Sequence, residues 1–146
     1  MASVKWSALA ASIAAMTTEL SGLSAGARNL GSNAISNVAG DMYADWEVNV
    51  TASTTPASTA YLALYFIQAL DGTNYADGSS ALAAPPTAWV GNFPLRAVTS
   101  AQRVVLRQTT LPATVFKPLL ENNAGASLTQ VSTNTLTFRS YNEQVV

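Results

Sequence analysis

The apolar residues of this chain change their spacing near residue 40, and the change divides the sequence into two kinds of structure. Before residue 40 they recur at alternating intervals of three and four, the period of an α-helix that buries one face. After residue 40 they alternate with polar residues at a period of two, which is typical of β-strands. The sequence therefore predicts an N-terminal helical arm with its linker over residues 1–40, followed by a sheet domain over residues 41–146.

The N-terminal pattern predicts an amphipathic helix over residues 5–21, which are rich in Ala, Leu, Met and Glu. Glycines at 22, 26 and 31 then interrupt it. The apolar face of this helix needs a partner, which is either its own domain or a neighbouring subunit. We favour the neighbour, because a β-sandwich completes its core without such a segment. The candidate partner-contact residues are Trp6, Leu9, Ile13, Met16, Leu20 and Leu23.

Residues 41–146 predict a mainly β fold, an antiparallel β-sandwich of the jelly-roll kind. In the clearest strand, residues 45–50, Trp46, Val48 and Val50 face the core and polar residues alternate with them. The run from 61 to 70 is apolar on both faces and predicts a central strand. Further strands are predicted at 89–96, 102–108, 114–121 and 135–141.

Composition excludes several classes of function. Only 10% of the residues are charged, against about 25% in ordinary domains, so the polar surface is mostly uncharged and can contact neighbours at little desolvation cost. A net charge of -1 gives no basis for nucleic-acid binding. The absence of Cys and His removes the common triads and nearly every zinc site. No stretch approaches the roughly 20 apolar residues of a membrane span.

Three local patterns are candidates for a metal, catalytic or sugar-binding site. The loop 71–78 offers the oxygen ligands Asp71, Asn74 and Asp77, but its spacing is not that of a calcium loop, and turns formed by Asp and Asn explain it better. Asp45 and Glu47 form an acid pair on an exposed strand face, where pairing with arginine is a simpler role than glycoside hydrolysis. Among several aromatic residues able to stack on sugars, only Tyr75 lies in mid-loop. We therefore expect no catalytic residue, cofactor or metal.

Four strings in the second half resemble small virion structural proteins of tailed bacteriophages. They are LDGTNYADG at 70–78, VGNFPLRAVTSAQRVVLR at 90–107, LPATVFKPLLENNAG at 111–125 and NTLTFRSYNEQ at 134–144. They follow an N-terminal segment of the type TTEL-S-L at 17–23, and the resemblance covers residues 41–144 well and the arm loosely. It implies a capsid-associated protein, a decoration or cement protein on the outer head shell, and it implies no catalytic residue.

The resemblance and the composition together predict a non-enzymatic virion protein whose partners are copies of itself, with a trimer as the first expectation, and the major capsid protein. We expect neither nucleic acid nor a membrane as a partner. The alternative is a carbohydrate-binding or adhesive module of a phage tail or a cell surface. A solvent-exposed aromatic shelf with a polar rim would favour that alternative, whereas an apolar arm held between subunits would favour the cement protein.

Overall fold

The computed structural model describes residues 3–146, which form ten strands and two short 3₁₀ turns at Thr18–Leu20 and Pro86–Ala88. The strands are β1 (Val4–Trp6), β2 (Ile13–Met16), β3 (Arg28–Leu30), β4 (Tyr43–Val50), β5 (Tyr61–Ala69), β6 (Trp89–Pro94), β7 (Gln102–Thr110), β8 (Val115–Asn123), β9 (Thr135–Tyr141) and β10 (Glu143–Val145).

Two four-stranded sheets contain most of these strands, and every pairing is antiparallel. The front sheet has the order β2-β9-β4-β7 and the back sheet the order β3-β8-β5-β6. A separate two-stranded ribbon, here called the terminal ribbon, joins β1 to β10. The expected antiparallel sandwich is confirmed, and each predicted strand of the second half is present.

One hydrophobic core lies between the two sheets. The alternation predicted in β4 is confirmed, since Trp46, Val48 and Val50 are buried and the residues between them are partly exposed. The Trp46 ring stacks on Phe138 of β9 with 4.6 Å between centroids. Its Nε1–H donates a hydrogen bond of 2.9 Å to Thr109 Oγ1, so the indole keeps a polar partner inside the core.

β5 is a central strand, as its two apolar faces predict. Leu62 and Leu64 are fully buried on the core side, and Ile67 on the opposite face is fully buried as well. The loop that follows β5 covers Ile67 so closely that a Cβ on Gly78 would lie 2.4 Å from Ile67 Cδ1. A sheet strand covered on both sides explains why this run carries so few polar residues.

The predicted helix over residues 5–21 is wrong. Residues 4–6 and 13–16 are strands, and Thr18–Leu20 forms a single 3₁₀ turn. β2 pairs with β9, whose outer backbone groups would otherwise lack partners. An isolated helix of this length is marginal in water, and Trp, Ser and Ile favour it little. Pairing with a strand more than a hundred residues away therefore overrides the local pattern.

The chain between the predicted helix and residue 40, including the linker predicted over residues 32–40, also enters the sheets. β3 pairs with β8 at the edge of the back sheet, and Ile35 exchanges two backbone hydrogen bonds with Phe116, at 2.8 and 3.0 Å. The predicted boundary after residue 40 stays a prediction, and truncation tests it. No helix within residues 3–146 is long and apolar enough to cross a membrane.

Candidate functional site

The first strand-forming segment, residues 3–16, lies along the end of the chain and is called the N-terminal edge below. Ser3 and Val146 exchange backbone hydrogen bonds of 2.8 and 2.9 Å, Ala10 N–H donates to Ser140 O at 2.8 Å, and β2 continues the pairing along β9. Within residues 3–146 no strand pairs with the other side of β2. The front sheet therefore ends at β2, whose outer backbone groups face no strand of the described residues, while Arg139 donates to the carbonyl oxygens of Leu9 and Ala10.

The structure divides the six predicted contact residues into two sets of three. Trp6, Leu9 and Ile13 are 50%, 43% and 48% exposed. Met16, Leu20 and Leu23 are 7% exposed or less and belong to the protein's own core. The single continuous stripe is wrong, because it required the helix that is not formed. Only the first three residues lie where another molecule can reach them.

Nothing in the sequence of the N-terminal edge protects it against pairing with another chain. Natural edge strands are usually blunted by charged residues or proline, and Lys5 is the one charged residue before Glu19. Val4, Val145 and Val146 on the terminal ribbon are also more than half exposed. A two-stranded ribbon is only marginally stable by itself in water. The ribbon and the N-terminal edge thus form one continuous apolar border that a second surface would stabilise.

Trp6 of the N-terminal edge contacts two tyrosine rings of the front sheet. Its ring meets Tyr43 and Tyr141 edge-on, with centroids 5.6 and 5.5 Å away. Tyr141 O–H donates to Asp45 Oδ1 at 3.1 Å. Burial, together with the hydrogen bond to Asp45 and its charge, raises the pKa of Tyr141. The tyrosine is therefore held protonated as a donor, and it orients the carboxylate beneath Trp6.

The other predicted sites have structural partners. Glu47 Oε1 lies 3.4 Å from Arg103 Nε, which confirms one of the expected carboxylate–arginine pairs. Asp71 accepts hydrogen bonds from the backbone of Asn74 and Thr73 and from the Asn74 amide, which lower its pKa to about 2. Lys117 Nζ lies 5.1 Å above the Tyr75 ring. Within residues 3–146 no three Asp or Glu side chains converge as metal ligands.

One feature had no signal in the sequence. β4 and β7 change register so that Arg107 and Gln108 stand together opposite Asp45, between the pairs Ala44–Thr109 and Trp46–Leu106. Gln108 has a φ of 53°, a left-handed conformation that is uncommon outside glycine. Asp45 Oδ1 accepts its backbone N–H at 2.8 Å. The sequence around Gln108 does not predict this bulge, because glutamine also occurs in regular strands and no glycine marks the extra residue.

Comparisons with known proteins found little. No family model matches the chain, and no curated protein matches it. Among solved structures it is similar to the carbohydrate-binding module CBM36 in complex with calcium and xylotriose, at 11% identity over 93% of this chain and 99% of that chain, with a TM-score of 0.43. A likeness at that level carries no argument about the function of this protein.

Proposed function

We propose that this protein is a non-enzymatic structural subunit of a phage virion, a decoration (cement) protein on the surface of the head. The observation that supports this most is the N-terminal edge. Its exposed side chains Trp6, Leu9 and Ile13 lie on a border formed by β1 and β2, beyond which no further strand of residues 3–146 is paired. Covering exposed apolar area contributes about 25 cal/mol per Å², and pairing the open backbone groups adds specificity in direction and register.

The partners in this proposal are copies of the same chain and the major capsid protein. A continuous apolar border on one side of a subunit suits a closed ring, in which each copy places its border against a different surface of the next. A trimer at a three-fold position of the shell is the simplest such ring. The low proportion of charged residues, 10%, supports close contact, because few charges lose water when subunits meet.

The state of the polar side chains supports a non-enzymatic role. The chain has neither Cys nor His. Asp45, Glu47 and Asp71 each already bind a neighbouring donor or cation, and two of these contacts are with backbone amides of the same fold. An acid catalyst needs a carboxyl group with a raised pKa, whereas the pKa of Asp71 is lowered. In this proposal the protein acts through the free energy of its contacts with other subunits and not through catalysis.

A cement protein acts through mass action. It binds the assembled lattice and not the dissociated subunits, so each bound copy stabilises the assembled state by RT ln(1 + [L]/Kd). At concentrations one hundred times the Kd this amounts to about 2.7 kcal/mol per site. Over many copies the shell gains a large resistance to heat, although the shell assembles without the protein.

The experiment is deletion of the gene followed by add-back of the purified protein. Deleted phage should still form heads, and these heads should rupture at a lower temperature than complete particles. Added wild-type protein should restore the rupture temperature. Ile13→Asp should not, whereas Val38→Asp, which places the same charge on an exposed valine outside the border, should. Failure of heads to assemble would make the protein a core capsid component, and heads of normal resistance that adsorb poorly to cells would make it an adhesive module.

A further inference from the structure

We propose that a groove between Trp6 and Trp89 binds a saccharide chain. Two open hollows, of about 470 and 300 Å³, share Arg107 and Gln108 in their linings, so both border the bulge of β7. Trp89 lines the larger hollow and Trp6 the smaller one. Ligand sites in proteins commonly have volumes of about 300–1,000 Å³. We call these two hollows together the tryptophan groove.

The exposed tryptophans are the first argument. Of the three in the chain, Trp46 is fully buried, whereas Trp6 and Trp89 are 50% and 53% exposed. Both exposed indoles are held in place, since Trp6 contacts two tyrosine rings and Trp89 Nε1–H donates to Asn92 Oδ1 at 3.1 Å. A fixed, half-open aromatic ring gives a large contact area at little cost in side-chain entropy. The C–H faces of sugar rings are flat apolar surfaces that fit such rings.

The polar groups between the tryptophans are the second argument. Within residues 3–146 the guanidinium of Arg107 forms no ion pair, and the side chain of Gln108 forms no hydrogen bond. Asp45 binds Gln108 N–H and Tyr141 O–H through Oδ1, which leaves Oδ2 without a protein donor. Planar donors and acceptors of this kind match the paired hydroxyl groups of a sugar ring. They orient the ligand, while the indoles supply contact area.

The backbone of the groove is the third argument. Gln108 is the one non-glycine residue of the described chain with a positive φ, a conformation that costs roughly 1 kcal/mol or more. The hydrogen bond that Gln108 N–H donates to Asp45 Oδ1 stabilises it. The bulge also interrupts the outer edge of β7, which disfavours addition of a peptide strand there. The shallow groove and its interrupted edge therefore favour a saccharide over a peptide.

The groove lies apart from the N-terminal edge at Trp89, which lines the larger hollow, because β6 ends the back sheet on the side opposite β3. A variant at Trp89 therefore tests saccharide binding without touching the proposed assembly surface, whereas Arg107 lines the smaller hollow together with Trp6 and Leu9. Trp6 belongs to both regions and is not used to separate them. The saccharide site goes beyond the structural role and does not depend on it.

The test is affinity electrophoresis of the full chain through gels that contain hydroxyethyl cellulose, xylan, pectin or bacterial lipopolysaccharide, followed by titration of tryptophan fluorescence with the polymer that retards it. We expect at least one polymer to retard the wild type. Trp89→Ala and Arg107→Ala should each weaken binding at least tenfold, and Val131→Ala, an exposed apolar residue outside the groove, should not. Circular dichroism checks that each variant is folded.

Retardation by none of the four polymers would overturn the proposal. Unchanged binding by both Trp89→Ala and Arg107→Ala would overturn it as well, because the contact would then lie elsewhere. Quenching of tryptophan fluorescence by a proline-rich peptide, with no response to any saccharide, would assign the groove to a peptide. In each case the heat resistance of particles carrying Trp89→Ala reports separately on the cement function.

Discussion

The two halves of the first thirty residues have the same spacing of apolar side chains and opposite environments. Leu9 and Ile13 in the outer half are exposed, whereas Met16 and Leu20 in the inner half are buried. The change occurs at the register shift between Ala14 and Met16, which turns the neighbours Ala15 and Met16 both into the core. A regular apolar spacing thus indicates side chains that favour burial. The pairing with β9 determines which of them are buried in the protein's own core.

Buried hydrogen bonds also distinguish the inner half from the outer half. The amide of Asn122, itself fully buried, donates to the carbonyl oxygens of Leu23 at 3.0 Å and of Ala126 at 2.9 Å. The inner half is therefore fixed by hydrogen bonds as well as by apolar contacts. The outer half is held at the surface, by backbone pairing with β9 and β10, by hydrogen bonds from Arg139 to the carbonyl oxygens of Leu9 and Ala10, and by the contact of Trp6 with two tyrosine rings. The comparison implies that the inner half stabilises the fold and that the outer half is available to a partner.

Truncation should show the largest effect. A protein starting at Asp41 loses β1, β2, β3 and four buried core residues, of which Met16, Leu20 and Leu23 are large. Burial of each large apolar side chain contributes about 1.5–3 kcal/mol, and the whole fold is stabilised by only about 5–15 kcal/mol. We expect this protein to be unfolded by circular dichroism. A protein starting at Leu9 should remain folded, and a folded protein starting at Asp41 would instead support the boundary that the sequence predicted.

Single alanine substitutions in the two halves should lower the free energy of unfolding by different amounts. Leu20→Ala removes a fully buried side chain and should lower the free energy of unfolding by about 2–5 kcal/mol. Leu9→Ala removes a half-exposed one and should change it by less than about 0.5 kcal/mol. Urea denaturation measures both values. Equal losses in the two variants would show that the outer half is part of the core.

Acid should weaken the inner half first, through Glu19. Burial alone raises the pKa of Glu19, but hydrogen bonds from the Ser32 side chain and backbone and from Thr17 N–H outweigh it and lower the pKa to about 2. Because the folded pKa lies below the unfolded value of about 4.3, the stabilisation is complete above that value. It is lost as the pH falls toward about 2.

The variant that tests this is Glu19→Gln. Its free energy of unfolding should no longer fall with the protonation of residue 19 as the pH decreases. Relative to wild type it should be less stable at pH 6 by about 1 kcal/mol, the scale of partly screened hydrogen bonds to a charged group, and the gap should shrink by pH 2.5. Glu143→Gln on the exposed terminal ribbon is the control. A gap that stays constant from pH 6 to pH 2.5 would show that the Glu19 charge contributes nothing.

The second half of the fold follows from its sequence and much of the first half does not. Period-two alternation marks β4, because one face contacts the core and the other faces water. Pro118 lies in β8, an interior strand, although proline usually indicates an edge or a bulge. The N-terminal strands depend on a partner at the far end of the chain, which no local pattern contains. The sequence pattern predicted Trp6, Leu9 and Ile13 as contact residues of a helix; the structure leaves them half-exposed at the N-terminal edge, and their contact with a partner stays a prediction.

The most direct test of the outer half is sedimentation velocity over a range of concentrations, comparing wild type with Ile13→Asp and Val38→Asp. Ile13→Asp places a charge on the unpaired border, where a neighbour would have to bury it at a cost of several kcal/mol. We expect wild type and Val38→Asp to associate with rising concentration, and Ile13→Asp to sediment as a 15.2 kDa monomer with an unchanged melting temperature. Association of Ile13→Asp equal to that of wild type, or a wild type that remains monomeric throughout, would contradict the assignment of the N-terminal edge as an assembly surface.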